Sequence, residues 1–251
     1  NDQFHSVRKY QYPDSIRHID QKKSARYQTL MTRIYDSYHN HHLIIGCDLG
    51  RSMMGDIGNS RKKDFYLSAA LHLAENAVSA KDMVSFFAFH QTVTMTLPKS
   101  HRIEHFALLD PNSEALQVKP IESNYEILTQ SVNSISKQRS IVVILCDLTR
   151  PSVQESLISS IGHLCRKHLV VLMSVVDKEV TVEDKLRTLS SSKLTDEQYS
   201  DLLYGYWLED SFQLFEQRVA QLGGGVITAP ERHWLDMTTK MYHLLRTSLR
   251  L

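Results

Sequence analysis

Hydrophobic residues in this chain fall into short uninterrupted runs, and longer segments between them carry an apolar residue every three or four positions. Short apolar runs are typical of strands covered on both faces, and the longer spacing is typical of amphipathic helices. The runs predict strands at 43–48, 83–89, 140–146, 169–176 and 226–229. The periodic segments predict helices at 62–80, 125–135, 152–167, 181–222 and 230–249. This alternation predicts an α/β fold with a doubly wound, mainly parallel sheet and helices on both faces.

Two segments depart from this parallel pattern. Residues 92–97 alternate between apolar and polar, and they follow strand 83–89 after only His90 and Gln91. Because so short a connection joins antiparallel strands, we expect one antiparallel edge strand in the sheet. Residues 30–38 also alternate loosely and predict a further strand.

Two of the apolar runs end in the same dipeptide, Cys-Asp, at Cys47-Asp48 and Cys146-Asp147. Open α/β sheets bind ligands at the carboxyl ends of their strands. We therefore expect the two strands to be neighbours, with the carboxylates of Asp48 and Asp147 at one edge. Both cysteines should then point together to the opposite face as small buried side chains. Carboxylates together with the hydroxyl of Ser52 are ligands typical of a hard cation such as Mg²⁺.

Composition and charge narrow the class of protein. A net charge of +1 over 251 residues argues against a general nucleic-acid binder. Three cysteines supply no disulfide framework and favour a reducing compartment. The apolar runs are too short to span a bilayer. The chain begins with Asn1, not methionine, so we expect it to be part of a longer protein.

Residues 1–27 are polar, lack a clear period and carry more basic than acidic side chains. We interpret them as an N-terminal arm ordered against a domain that spans residues 28–251, because Tyr10, Ile16 and Ile19 are interspersed among the charges. The alternative is that the basic arm contacts anionic lipid headgroups or an acidic partner.

The acid-terminated strands resemble a known kind of site. Asp48, Gly50 and Ser52 resemble the Asp-x-Ser-x-Ser metal-ion-dependent adhesion site of von Willebrand factor A domains, whose fold is Rossmann-like. The arm resembles the signature of one bacterial branch, the uncharacterised domain family fifty-eight, whose genes commonly lie beside MoxR-type AAA+ ATPases. The matching residues are Val7-Arg8-Lys9-Tyr10, Pro13-Asp14, Ile16-Arg17, Ile19-Asp20 and Ser24-Ala25-Arg26. Pro13 and Gln21 stand where that signature usually has glycine and tryptophan.

The resemblance implies a set of metal ligands and a set of partner contacts. The ligands would be Asp48, Ser52, Ser123 and Asp147, where Ser123 replaces the usual threonine. Gly50 stands where a hydroxyl ligand is usual, so Mg²⁺ would bind weakly or only with a partner carboxylate. The glycine would also be required if residue 50 had a positive φ, and Arg51 could occupy the space of a cation. The expected partner contacts are Gly50, Arg51, Asn124 and Thr149.

The same resemblance implies a non-enzymatic protein-interaction module. Its partner would be a MoxR-type AAA+ ATPase or a client of that ATPase, in protein maturation or complex assembly. The chain would be the cytoplasmic part of a bacterial inner-membrane protein, attached through a segment outside the chain, with no nucleic acid bound.

Two alternatives remain at this stage. A metal-assisted phosphohydrolase could also use Asp48 and Asp147. It needs a general base in the same loops, and neither His163 nor His168 is an obvious candidate because both lie on or beside the following helix. An RNA-binding von Willebrand A domain is disfavoured by the near-neutral charge.

Overall fold

A computed structural model describes residues 3–11, 19–36, 41–57, 60–113, 115–175, 210–230 and 233–248. The chain divides into two compact units, residues 1–40 and residues 41–251, which we call the N-terminal unit and the main unit. Each is described by itself.

The N-terminal unit is a two-stranded antiparallel sheet with one short helix between its strands. Strand β1 (Gln3–Lys9) pairs with β2 (Met31–Asp36), and α1 (Gln21–Tyr27) lies between them in sequence. The carboxylate of Asp20 caps α1 by accepting from the backbone N–H of Lys23 at 3.0 Å. The arm therefore contains regular structure that its sequence did not indicate. The strand predicted at 30–38 is present as β2, and it pairs with β1 within this unit. Signature positions 12–18 lie outside the described residues, and docking of the arm stays a prediction.

The main unit contains a six-stranded sheet and a small hairpin. Its strands are β3 (His42–Asp48), β4 (Asp56–Ile57), β5 (Ser60–Arg61), β6 (Met83–Phe89), β7 (Val93–Ser100), β8 (Ile141–Leu145), β9 (Leu169–Val175) and β10 (Gly225–Ala229). The large sheet has the order β10-β9-β8-β3-β6-β7, and β4 pairs with β5 separately. All neighbours in the large sheet are parallel except β6 and β7. The predicted doubly wound sheet with one antiparallel edge strand is confirmed.

Helices cover both faces of this sheet. They are α2 (Lys62–Ser79), α3 (Ile127–Ile135), α4 (Pro151–Cys165), α5 (210–221) and α6 (Trp234–Ser248). Short 3₁₀ helices occupy Arg51–Met53, Ile103–Leu109 and Pro111–Ser113. One buried cluster includes residues of α2 and α6, and the other includes residues of α3, α4 and α5. The predicted helices are confirmed where described, while residues 181–209 lie outside the described part.

The register between β3 and β8 decides which side chains share a face. The two strands are parallel neighbours, as predicted, and Cys47 is paired with Leu145, so Asp48 is level with Cys146. Cys47 belongs to the buried cluster beneath α2, and Cys146 belongs to the cluster on the other face. The prediction that the two cysteines point together is wrong, because a shift of one residue reverses the face of every side chain. Burial raises the pKa of both thiols and keeps them protonated.

No helix in the described ranges combines the length and the apolar character that a membrane crossing requires.

Candidate functional site

The carboxyl ends of β3, β6 and β8 meet the segment of residues 119–125. Backbone hydrogen bonds fasten this segment in place: the N–H of Arg51 donates to Ile121 at 2.8 Å, and the N–H of Lys119 donates to Leu49 at 3.0 Å. The N–H of Asn124 donates to the carbonyl oxygen of His90, the residue after β6, at 2.9 Å. The segment therefore lies across the top of the central strands and carries Ser123 to the end of β3.

Asp48 is the centre of the site. Its side chain is fully buried, and four donors surround the carboxylate. Oδ1 accepts from the backbone N–H of Gly50 at 2.8 Å and from the hydroxyl of Ser123. Oδ2 accepts from Ser52 Oγ at 2.9 Å and from Tyr125 Oη at 2.5 Å. Two donors on each oxygen are what a buried ionised carboxylate requires.

Tyr125 is a member of this cluster that the sequence patterns missed. It is buried, it lies two residues before α3, and its ring packs edge-on against Phe89 with ring centroids 5.8 Å apart. Burial and then the nearby charge of Asp48 raise the pKa of the phenol, so it stays a proton donor to the carboxylate. Its one sequence signal is its position two residues after Ser123.

Glycine is required at position 50 because there is no room for a side chain. Its φ of −84° and ψ of −168° are extended backbone that any residue adopts, so the explanation by a positive φ is wrong. A Cβ at this position would lie 2.0 Å from Ser123 Oγ and 2.8 Å from the carbonyl oxygen of Ile121. Any side chain would therefore push the 119–125 segment away from Asp48.

Asp147 has its own partners. Its Oδ1 accepts from the N–H of Thr149 at 3.0 Å and from the hydroxyl of Thr149 at 2.7 Å. Its Oδ2 is 2.8 Å from the ammonium nitrogen of Lys62, the first residue of α2. Asp48 ends β3 and Asp147 lies two residues after the neighbouring strand β8, so both lie at the same edge of the sheet, as predicted. Among the described residues, no hydrogen-bond donor joins the two carboxylates.

Exposed charged side chains surround the buried cluster. Arg51 NH1 and Arg150 NH1 each lie 3.8 Å from Glu122 Oε1. We call the exposed side chains Arg51, Glu122, Asn124 and Arg150 the rim. Arg51 turns to Glu122, so it is not the cation next to either aspartate. Of the other expected partner contacts, Thr149 is half-buried and Gly50 is buried.

The predicted metal ligands were tested against the needs of Mg²⁺, which takes six oxygen ligands in near-octahedral geometry. The hydroxyls of Ser52 and Ser123 donate to Asp48 and keep lone pairs for a cation, but the ammonium of Lys62 already occupies Oδ2 of Asp147. Within the described residues, no group of three or more His, Cys, Asp or Glu side chains could hold a metal. As arranged, these residues do not fit a divalent ion, and Mg²⁺ binding stays a prediction.

The histidines near the sheet are poorly placed to act as general bases at Asp48. His163 lies in the last turn of α4, and His168 precedes β9, so both lie where the strands begin, away from Asp48. His90 follows β6 at the edge of the site and is buried. Its Nδ1 accepts from the N–H of Gln91 at 2.7 Å, so that lone pair is engaged.

Comparisons with known proteins place the chain in a family. A search of curated proteins found no match to the sequence. The chain is similar to the conserved hypothetical protein BatB from Bacteroides thetaiotaomicron, with 12% identity and a TM-score of 0.51, over 84% of this chain and 100% of that chain. The chain is also similar to the SpRpn10 VWA domain, with 10% identity and a TM-score of 0.49, over 80% of this chain and 94% of that chain. A third similar structure is the vWF domain of the type V pili tip protein Mfa5 from Porphyromonas gingivalis, with 9% identity and a TM-score of 0.45, over 82% of this chain and 95% of that chain. The similarity to BatB concerns the fold alone. The chain belongs to the family described as protein of unknown function DUF58, whose sequence profile matches residues 6–202.

Proposed function

We propose that this chain is a non-enzymatic protein-interaction module that binds a partner through its rim. The observation that carries the proposal is the pair of arginines, Arg51 and Arg150, on either side of the single acid Glu122. All three side chains are exposed, Arg150 the least at 45%, so their charges are available to a partner. The pair leaves a net positive charge, which favours an acidic group on that partner.

The buried cluster supports this proposal by holding the rim in place. Asp48 bonds Ser52 and Ser123, so it joins the loop after β3 to the 119–125 segment. Arg51 and Glu122 are the neighbours of these serines in sequence. A surface whose loops are ordered before binding loses less conformational entropy when the partner arrives. The polar groups of the cluster thus have an assigned role without any catalytic step.

The arrangement of the site offers little to an enzyme. A metal-assisted phosphohydrolase would need a cation shared by Asp48 and Asp147 and a base in the same loops. Instead each carboxylate has separate donors, and the nearest edge histidine, His90, has its Nδ1 lone pair engaged. These features favour the binding module over the hydrolase.

The identity of the partner follows from the family resemblance alone. We propose a MoxR-type AAA+ ATPase or one of its client proteins as the partner. We also propose that the chain works at the cytoplasmic face of a bacterial inner membrane, attached through a segment outside this chain. If Mg²⁺ contributes, it must displace the ammonium of Lys62 from Asp147.

A binding assay with paired arginine variants tests the proposal. The purified chain, immobilised, is exposed to a purified MoxR-type ATPase from the same genome. The immobilised double variant Arg51→Ala/Arg150→Ala should retain only a small fraction of the ATPase that the unmodified chain retains. The control is Arg166→Ala, because Arg166 is also exposed but follows the last residue of α4, at the opposite end of that helix from Arg150. Equal retention by the double variant and the unmodified chain would place the interface elsewhere.

A further inference from the structure

We propose that the ammonium group of Lys62 is the resident cation of this site and excludes divalent metal ions from Asp147. Lys62 makes this contact with Asp147 within the chain, without any partner.

The ion pair between Lys62 and Asp147 is close and largely shielded from water. Its nitrogen and oxygen are 2.8 Å apart, and the side chains are 17% and 3% exposed. A pair at this depth is screened far less than the surface pairs of the rim. Thr149 donates twice to the other oxygen of Asp147, so that carboxylate has partners on both sides.

Lys62 stands where a positive charge is otherwise unfavourable. It is the first residue of α2, and its backbone N–H donates to Gly55 at 3.0 Å, which fixes its place. The N-terminus of a helix carries partial positive charge and favours acidic side chains. Arg61 and Lys63 flank it and add like charge, and the ammonium of Lys63 turns instead to the carbonyl oxygen of Leu116 at 3.2 Å. Asp147 is the group that compensates Lys62.

A divalent ion could not share Asp147 with this ammonium. Mg²⁺ bound to an Asp147 oxygen would lie within a few ångström of Lys62 Nζ, and two like charges at that separation repel strongly where water is scarce. The remaining ligands are few and neutral. Ser52 and Ser123 keep hydroxyl lone pairs while they donate to Asp48, but position 50 contributes no side-chain oxygen. The lysine therefore supplies the positive charge that a metal would supply in a complete adhesion site.

Calorimetric titration with Mn²⁺, in the absence of any partner, tests the inference. Unmodified protein should bind Mn²⁺ no more tightly than millimolar, whereas Lys62→Met should bind Mn²⁺ at least about tenfold more tightly. Lys62→Arg keeps the charge and should behave like unmodified protein. Lys240→Met is the control for loss of a lysine, since Lys240 pairs with Asp236 on the exposed side of α6. Adding Asp147→Asn to Lys62→Met should abolish the gain.

Two results of this titration would overturn the inference. One is Mn²⁺ binding to the unmodified chain as tight as binding to Lys62→Met. The other is no gain in Lys62→Met while the variant is folded by circular dichroism.

If Lys62→Met does not fold, nuclear magnetic resonance of the unmodified chain tests the same proposal. A shielded ammonium that is held by a carboxylate exchanges its protons slowly enough for its nitrogen-15 resonance to be observed. That resonance should persist unchanged when millimolar Mg²⁺ is added. Its loss or displacement by Mg²⁺, with Asp147 resonances shifting in parallel, would show that the metal replaces the lysine and would refute the proposal. Neither measurement includes a partner, so failure of partner binding cannot be confused with failure here.

Discussion

Asp48 ends β3 and Asp147 follows the neighbouring strand β8 by two residues, and each carboxylate bonds a donor from a different face of the sheet. Asp48 accepts from Tyr125, just ahead of α3, whereas Asp147 accepts from Lys62 at the start of α2. The two acids therefore share an edge without sharing a ligand. Asp48 organises the loops, and Asp147 anchors a helix.

The first prediction concerns the buried charge of Asp48. Asp48→Asn replaces one acceptor oxygen with an amide group that faces two hydroxyl or N–H donors. We expect the free energy of unfolding to fall by about 3 kcal/mol, because a buried hydrogen-bonded network loses its acceptor. Urea unfolding monitored by circular dichroism measures this. Asp56→Asn is the control, since Asp56 is exposed beside the same loop. Equal midpoints for the two variants would show that Asp48 does not hold the loops.

The second prediction concerns the space at Gly50. Gly50→Ser should lose about 2 kcal/mol of stability and gain no affinity for Mg²⁺, because its Cβ would overlap Ser123 Oγ and the carbonyl oxygen of Ile121. Thermal melts and a Mg²⁺ titration check both parts. Gly225→Ala is the control, since a Cβ there meets only an ordinary contact at 3.6 Å.

A double-mutant cycle separates the two collisions at Gly50. Combining Gly50→Ala with Ser123→Ala removes the contact at 2.0 Å but leaves the backbone oxygen at 2.8 Å. The double variant should therefore be more stable than the sum of the single changes predicts, without reaching the stability of the unmodified chain. Strict additivity would mean that Ser123 does not contact residue 50.

Much of this fold was predictable because its signals are local. Strand β3, helix α2 and the hairpin of β6 and β7 follow from runs and periods within single segments. The clustering of Asp48 with Ser52 also follows from spacing in one loop. Ser123 was predicted only through the family resemblance, because more than seventy residues separate it from Asp48.

The remaining features depend on tertiary arrangement that no single segment encodes. The prediction for Cys47 and Cys146 failed because identical dipeptides do not imply identical register. Lys62 looked like an ordinary polar residue at a helix start, and its pairing with Asp147 requires the packing of α2 against the sheet. Tyr125 similarly becomes a donor to Asp48 only when the 119–125 segment crosses the strand ends.

The third prediction concerns acid stability. Burial, followed by the charges of Lys99 and His168, lowers the pKa of His42 from 6.5 to about 4. Below pH 6.5 the unfolded chain thus binds a proton that the folded chain does not, so stability falls as the pH decreases toward about 4. His42→Gln retains a hydrogen-bonding group near Ser85 Oγ, which lies 2.9 Å from His42 Nε2. Between pH 7 and pH 5, the variant should lose about 2 kcal/mol less stability than the unmodified chain. Parallel losses in urea unfolding at the two pH values would contradict the lowered pKa.

The last prediction concerns Glu122, which lies between the two arginines of the rim. Its distance of 3.8 Å from each guanidinium is longer than a hydrogen bond, and its side chain is 61% exposed. Exposed pairs of this kind contribute little to stability, so Glu122→Gln should leave the thermal midpoint unchanged. The variant should instead bind the acidic partner several-fold more tightly, mainly through faster association, because Glu122 no longer offsets Arg51 and Arg150. Surface plasmon resonance at low and high salt measures this, and the gain should shrink as salt increases. Glu75→Gln is the matched control, because Glu75 is exposed in the second half of α2, and this variant should not change the association rate. Slower association of Glu122→Gln would mean that Glu122 itself contacts a basic partner, and the charge assigned to that partner would have to be reversed.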